Sequence, residues 1–385
     1  MTENSPHRPV FASANAPGRL PSAYPRRREV AVGCVTLGGD NPVAIQSMTT
    51  TETSDVEATL AEIHRLEEAG CELVRVSVPD EKSAGALAAI KRQMRVPLIA
   101  DIHFQPALAL AAIEAGADKV RLNPGNIVTR ERLEPVAKEL AKHAMPVRIG
   151  VNAGSIAADL KLLYREDPVA AIVKSAHRYV EMLESLGVNR IVVALKSSHV
   201  PITVEAYRKF ASESDYPLHI GITEAGPDII GATRSAVGVS LLLSEGLGDT
   251  LRVSLTSRVE DEVVVAKEIL SSLGIRRFPR LVACPTCARQ EFDVIALARE
   301  MKDAVLGLSA PLTVAIMGCV VNGPGEAAEA DVGLTGSGGK LFVYRRGEMV
   351  HRDLKLEEAA KLFREELARA AKGYVSRPGE AQGDE

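Results

Sequence analysis

From about residue 43 the chain alternates between two hydrophobic patterns. Short apolar, β-branched runs lead into a polar turn and then into an Ala-, Leu-, Glu- and Lys-rich stretch with helical spacing. The runs fall at 44–48, 73–78, 98–103, 119–123, 147–152, 190–196, 218–223 and 250–255. Helical stretches follow at about 55–69, 82–94, 105–115, 130–143, 168–186, 203–213, 228–245 and 260–272. Strand–helix alternation means parallel strands joined by right-handed crossovers. Eight such units over this length predict a closed (β/α)8 TIM barrel. An open doubly wound sheet would carry a Gly-x-Gly-x-x-Gly fingerprint after its first strand, and none is present.

After Gly274 the pattern changes. A linker precedes a strand at 281–283, a helix at about 290–304 and a strand at 312–317. Strand-like pieces follow at 330–334, 340–345 and 348–350, then a helix at 354–372. The expected fold class is therefore α/β, with an N-terminal barrel followed by a smaller α+β domain. The expected boundaries are a flexible extension over 1–25, a barrel over 26–275, the second domain over 276–375 and a flexible tail over 376–385. The extension lacks the apolar segment of a secretory signal. A β-like run at 29–37 is expected to plug the barrel bottom or to form a hairpin.

Composition narrows the classes. Hydrophobic residues make up 46% and charged residues 25%, with a net charge of −4. That is an ordinary soluble protein, with no bulk attraction for nucleic acid or an anionic membrane. No apolar run is long enough for a transmembrane helix. An odd count of 5 cysteines fits reduced thiols in the cytoplasm better than a disulfide framework. Cys71 precedes a strand where the parallel run Glu114 to Leu122 has Ala117, so it reads as structural, as does Cys34. Arg26, Arg27 and Arg28 read as a solvated run, and Gly336 to Lys340 as a hairpin turn rather than a phosphate loop.

The remaining cysteines carry chemistry. Cys284 and Cys287 form a C-x-x-C turn between a strand and a helix whose N-terminus would stabilise thiolate. Cys319 ends another strand, and the Gly- and Pro-rich run after it is expected to bring Glu326 back to the same place. Three readings compete. Structural zinc usually pairs two C-x-x-C units or adds His. A redox dithiol would leave Cys319 unexplained. An iron–sulfur cluster on three thiolates and one other ligand accounts for all three cysteines and for the glycines.

The barrel strand ends carry a dense polar set. Arg75, Arg121, Arg148, Lys196 and Arg252 occupy five strands, with Asn152 and Ser254 beside them. Catalytic groups of such barrels gather where the strands end, and this many cations would repel one another unless an anion joined them. A phosphate or diphosphate fits their forked donors. Asp101, His103 and Glu224 could move protons or balance the arginines.

The runs Gln46 to Thr49, Val74 to Ser77, Asp101 to Phe104, Val120 to Ile127, Arg148 to Ser155, His219 to Gly226, Cys284 to Arg289 and Met317 to Glu326 carry a resemblance. The chain resembles the two-domain bacterial 4-hydroxy-3-methylbut-2-en-1-yl diphosphate synthases of the methylerythritol phosphate route to isoprenoids. The resemblance implies reductive ring opening and dehydration of 2-C-methyl-D-erythritol 2,4-cyclodiphosphate to 4-hydroxy-3-methylbut-2-enyl diphosphate. It implies a [4Fe–4S] cluster on Cys284, Cys287, Cys319 and Glu326. A substrate pocket of Arg75, Arg121, Arg148, Asn152, Lys196, His219, Arg252 and Ser254 follows from it too, with Asp101, His103, Glu224 and Glu326 in catalytic roles. Reduced flavodoxin or ferredoxin would donate electrons to a head-to-tail homodimer. A carboxylate is a harder and more exchangeable iron ligand than a thiolate, so Glu326 is the ligand expected to yield to substrate.

Overall fold

The computed structural model describes residues 18–103, 105–124 and 129–374. Phe104, the Gly125 to Ile127 part of the Val120 to Ile127 run, most of the N-terminal extension and the 376–385 tail lie outside the described residues. The described chain divides into two compact units, 18–275 and 276–374.

The first unit begins with a hairpin, β1 (Val30–Val32) and β2 (Val35–Leu37). Eight parallel strands follow: β3 (Ala44–Met48), β4 (Leu73–Ser77), β5 (Leu98–Ile102), β6 (Lys119–Leu122), β7 (Val147–Asn152), β8 (Ile191–Lys196), β9 (His219–Ile220) and β10 (Thr250–Leu251). The hydrogen-bonded order is β8-β7-β6-β5-β4-β3-β10-β9. A parallel bridge between Val193 and Leu218 brings β9 back to β8 and closes the barrel. Helices α1 (Val56–Glu68), α2 (Glu81–Lys91), α3 (Pro106–Glu114), α4 (Arg130–Lys142), α5 (Lys161–Glu166), α6 (Pro168–Ser185), α7 (Val200–Glu213), α8 (Asp228–Leu243) and α9 (Val259–Ser272) connect and cover the strands.

The hairpin is also the plug. Val30, Val32 and Leu37 are buried against Ala44, Leu73, Ile99 and Val192 of four barrel strands. Cys34 is exposed in its turn. Cys71 is buried, its thiol pushed up to about 12 by burial, and it bonds the Leu73 carbonyl at 3.2 Å.

Several expectations change. The last two barrel strands shrink to two residues each, because Gly221, at φ +155°, leaves the ladder against the Arg252 carbonyl. Two 3-10 turns and α5 fill 153–166, which pattern reading had passed over. Residues 18–25 pack on the barrel rather than trailing: Leu20 is buried, and Arg19 reaches buried Asp249 at 2.5 Å and the Asn41 carbonyl at 2.9 Å. Arg27 is buried too and donates to the carbonyls of Ser214 and Ala211 on the far end of α7.

The second unit is a five-stranded sheet in the order β11 (Arg280–Ala283), β12 (Thr313–Met317), β13 (Val332–Ser337), β14 (Lys340–Arg345) and β15 (Glu348–Leu354). The first three strands are parallel and the last two antiparallel. Val294, Leu297, Met301 and Val305 of α10 (Val294–Leu306) join Phe363 and Leu367 of α12 (Leu356–Lys372) in its main core. Between β12 and β13 lies α11 (Gly323–Glu329), which the glycines and proline had disguised as a turn. Gly333 makes room for it: a Cβ there would lie 2.5 Å from the Ala327 Cα. Gly338 and Gly339, at φ +58° and +70°, make the β13–β14 hairpin turn. No helix among the described residues is long and apolar enough to cross a membrane.

Candidate functional site

Alternation along the strands aims the polar residues inwards. Arg75, Asp101, His103, Arg121, Arg148, Asn152, Lys196, Arg252 and Ser254 all line one cavity of about 240 Å³ at the C-terminal ends of the strands. Met48, Gly150, Ala194, Ile222 and Thr223 complete its wall.

Asp101 is the hub. Its Oδ1 accepts from Arg121 Nη1 at 2.9 Å, while Oδ2 lies 3.5 Å from both Arg75 Nε and His103 Nε2. Burial raises its pKa, but Arg75, then Arg121 and His103, hold the carboxyl well below the usual range. Arg121 also donates to the Gly150 carbonyl at 3.3 Å. A Cβ at position 150 would come within 2.7 Å of Arg121 Nε, so glycine is what lets this guanidinium lie flat across β7. Arg75 rests on the Met48 thioether, with Nη2 at 2.9 Å and Nε at 3.1 Å from Sδ.

Arg252 is held from outside the barrel strands. Glu262 of α9, buried at 4% exposure, meets its Nη2 at 3.0 Å and its Nε at 3.1 Å. The same carboxylate accepts from Ser47 Oγ at 2.7 Å and from the Leu255 backbone N–H at 3.1 Å. Sequence reading missed Glu262, which looked like one more acid in a helical first turn.

Arg148 and Lys196 have no such partner carboxylate among the described residues. Burial, then the neighbouring cations, drives both well below their ordinary values. An arginine does not give up its proton in a protein, so the cavity carries uncompensated positive charge and suits a polyanion.

Two expected pocket residues lie elsewhere. His219 is fully buried at the start of β9, beneath the cavity rather than on its wall, and burial followed by Lys196 and Arg148 keeps its ring neutral. Glu224 is exposed, at φ +52°, in the loop after β9 and does not line the cavity. A short β9 is the reason: the ladder ends at Ile220, Ile222 and Thr223 still line the cavity, and Glu224 turns out of it at positive φ.

In the second unit, β11 and β12 are adjacent and parallel. Cys284 directly follows β11 and Cys319 follows β12 by one residue, so both stand at the same sheet edge. The Gly318 N–H donates to Cys284 Sγ at 3.1 Å, and a Cβ at Gly318 would lie 3.4 Å from that sulfur. The Cys319 thiol is held below its ordinary value, first by the Val321 N–H and further by Arg289. Helix α10 starts at Val294, with Asp293 capping the Ala296 N–H, so its N-terminus serves Asp293 and not the thiols. Cys287 is exposed in the loop before it. Glu326 is exposed within α11. Among the described residues no three metal-ligating side chains are gathered at coordinating distance. The donor set of three thiols and one carboxylate on glycine-bearing backbone nevertheless fits an iron–sulfur cluster better than a closed zinc site.

The sequence matches the GcpE TIM-barrel domain over residues 27–267 and the GcpE protein C-terminal domain over residues 280–369. The chain belongs to the GcpE family, the 4-hydroxy-3-methylbut-2-en-1-yl diphosphate synthases. The protein so named, with flavodoxin, from Geobacillus thermodenitrificans is 47% identical over 358 residues, covering 93% of this chain and 96% of its own. The Geobacillus kaustophilus protein of the same name is 48% identical over 356 residues, covering 92% and 95%. That of Anoxybacillus flavithermus is 47% identical over 353 residues, covering 91% and 97%. GcpE membership makes this chain an oxidoreductase of an iron–sulfur family.

Proposed function

We propose that this chain opens 2-C-methyl-D-erythritol 2,4-cyclodiphosphate by two-electron reduction with loss of water, giving 4-hydroxy-3-methylbut-2-enyl diphosphate. The observation that carries the reading is the single cavity in which Arg75, Arg121, Arg148, Lys196 and Arg252 converge. Among the described residues Asp101 and Glu262 are the carboxylates paired with them.

In this reading the guanidiniums and Lys196 bind the two phosphoryl groups, and Asn152 and Ser254 bind the remaining oxygens. Asp101 does not touch the phosphates. It fixes the orientation of Arg75 and Arg121 and stays ionised, while His103 beside it can hold or release a proton at Nε2. Met48, Ala194 and Ile222 supply the apolar wall for the carbon skeleton and its methyl group. Cys284, Cys287, Cys319 and Glu326 would hold the [4Fe–4S] cluster. When bound, that group supplies the reducing electrons, which no side chain can.

Reduced flavodoxin, as in the relatives' names, or ferredoxin donates the electrons. We also infer a head-to-tail homodimer. Ile229, Ile230, Val237 and Leu241 leave an apolar stripe along α8 at 82%, 54%, 50% and 43% exposure, which suits a second copy.

Anaerobically purified protein, supplied with reduced flavodoxin and the cyclodiphosphate, should release 4-hydroxy-3-methylbut-2-enyl diphosphate, detected by mass spectrometry. Zinc-loaded protein without iron or sulfide, inert toward the cyclodiphosphate, would overturn the reading.

A further inference from the structure

The polar interior continues below the cavity. Gln46, Lys119, His219 and Thr250 stand two residues before Met48, Arg121, Gly221 and Arg252, so they face inwards one step deeper, roughly 7 Å along the strands. All four are buried, Lys119, His219 and Thr250 with 0% exposure. Lys119 Nζ, both ring nitrogens of His219, both amide atoms of Gln46 and Thr250 Oγ1 have no hydrogen-bond partner among the described residues. Nε and Nη1 of Arg148, whose side chain reaches the cavity above them, share that condition. A buried amine without a partner is destabilising, so stability does not explain Lys119.

Its surroundings are cationic. Arg148 from β7 and Arg75 from β4 are close enough to oppose its charge, and His219 from β9 is close enough to feel it. Asp101 is committed to Arg75 and Arg121, and Glu262 to Arg252. Asp118, its neighbour in sequence, pairs with Lys91 and the Leu98 N–H. Burial, then Arg148 and Arg75, holds the Lys119 ammonium well below its ordinary value. A polyanion arriving above Arg148 and Arg75 reverses that balance, because it favours the charged form of every amine near it.

We propose that Lys119 is a positioning residue of the anion site: its amino group takes up a proton from solvent when a diphosphate enters the cavity, and the new charge reaches the ligand through Arg148. The inference rests on the reading of the cavity as a diphosphate site. It adds a linkage: ligand affinity and proton uptake are coupled through a residue that touches no ligand atom.

Isothermal titration calorimetry of the intact protein at neutral pH, in two buffers of different ionisation enthalpy, counts the protons taken up per ligand. The probes are 2-C-methyl-D-erythritol 2,4-cyclodiphosphate and, separately, inorganic diphosphate. Wild type should take up protons beyond the ligand's own ionisation. Lys119→Met should take up fewer and bind about tenfold more weakly, as for the loss of one favourable charge below the ligand. Lys119→Arg, whose guanidinium stays charged, should recover affinity without recovering the lost uptake. Lys196 remains in every protein, so the comparison is between variants. Thermal unfolding without ligand is the folding control, and Lys119→Met should melt above wild type. Equal uptake and affinity in wild type and Lys119→Met overturn the proposal, as does a lower melting temperature for that variant. Binding of inorganic diphosphate with Lys119-dependent uptake, but none of the cyclodiphosphate, removes the substrate reading and leaves the role of Lys119 standing. Binding of neither removes both.

Discussion

Glu262 meets Arg252 at two points, Oε1 to Nη2 at 3.0 Å and Oε2 to Nε at 3.1 Å, so the guanidinium presents its remaining edge to the cavity. The arrangement spans 10 residues of chain, from a barrel strand end to the first turn of α9. It also ties that helix to β3 through Ser47. A two-point pair fixes orientation as well as charge, and an arginine fixed before the ligand arrives loses less entropy on binding it.

Glu262→Ala should therefore fail twice. Leaving the half-buried Arg252 unanswered costs about 3 kcal/mol of barrel stability, measurable by urea unfolding. In the surviving folded fraction, KM for the cyclodiphosphate should rise more than kcat falls, because a binding group has lost its aim. Glu262→Gln, which keeps the shape and part of the hydrogen bonding, should lie between. An unchanged KM in both variants would remove Glu262 from the site.

Gly150→Ala tests whether the Arg121 guanidinium must lie where it does. The added methyl would start 2.7 Å from Nε, inside contact distance, so the side chain must shift. Its 2.9 Å bond to Asp101 would be strained with it. Affinity for the cyclodiphosphate should drop roughly tenfold, as for the loss of one forked contact, with circular dichroism unchanged. Tight binding by Gly150→Ala would mean that Arg121 adapts freely.

Much of this site was legible because period-2 strands leave little freedom. Once Arg75, Asp101, Arg121, Arg148 and Arg252 sit in apolar strand runs, alternation and the C-terminal face of a barrel bring them together. What pattern could not supply was the partner on another element. Glu262 follows Glu260 and Asp261, and nothing local distinguishes the acid that turns inwards from the two that do not. Lys119 opens its strand, and its spacing from Arg121 puts it on the inner face. His219 enters the pocket through the resemblance and Glu224 through its place at a strand end, and neither the shortness of β9 nor the turn at Glu224 is written in hydrophobicity. The cysteine spacing points to one sheet edge for all three sulfurs, and Cys284 and Cys319 stand there. It could not foresee that Cys287 would stay exposed in a loop, or that the Gly- and Pro-rich run would wind into α11.

Asp101 gives the site a defined response to acid. Burial opposes its charge, but Arg75 and Arg121 prevail and depress the carboxyl below its ordinary value of 3.8. A group depressed in the fold contributes stability that is complete above the ordinary value and is lost as pH falls through the folded one. The stability gap between wild type and Asp101→Asn should thus be constant from neutral pH down to about pH 4 and should close below it. The gap at neutral pH should be about 3 kcal/mol, since the variant leaves two buried guanidiniums without their counter-charge. Denaturant melts across the acid range would show this, and a gap that closes already between pH 6 and pH 5 would show that Arg75 and Arg121 do not hold the carboxyl ionised.

The thiols and Glu326 should separate in their effects. Cys284 and Cys319 end adjacent strands, and the Gly318 N–H already points at one of the sulfurs. Removing either thiol takes away a soft, strongly bound donor from a site with no spare one among the described residues. Cys284→Ser and Cys319→Ser should therefore lose iron and sulfide, along with visible absorption, when purified anaerobically. Glu326 is exposed on α11, and its carboxylate is the harder and more exchangeable donor. Glu326→Ala should retain most of the iron on its three thiolates yet lose most turnover. Calorimetric binding of the cyclodiphosphate to the arginine-lined cavity should stay close to wild type in the variants that lose the metal, because none of the cavity-lining residues is a cysteine. Full activity in Glu326→Ala would show that the carboxylate is dispensable, and loss of iron equal to that of the cysteine variants would make it a structural ligand of the same rank as the thiols.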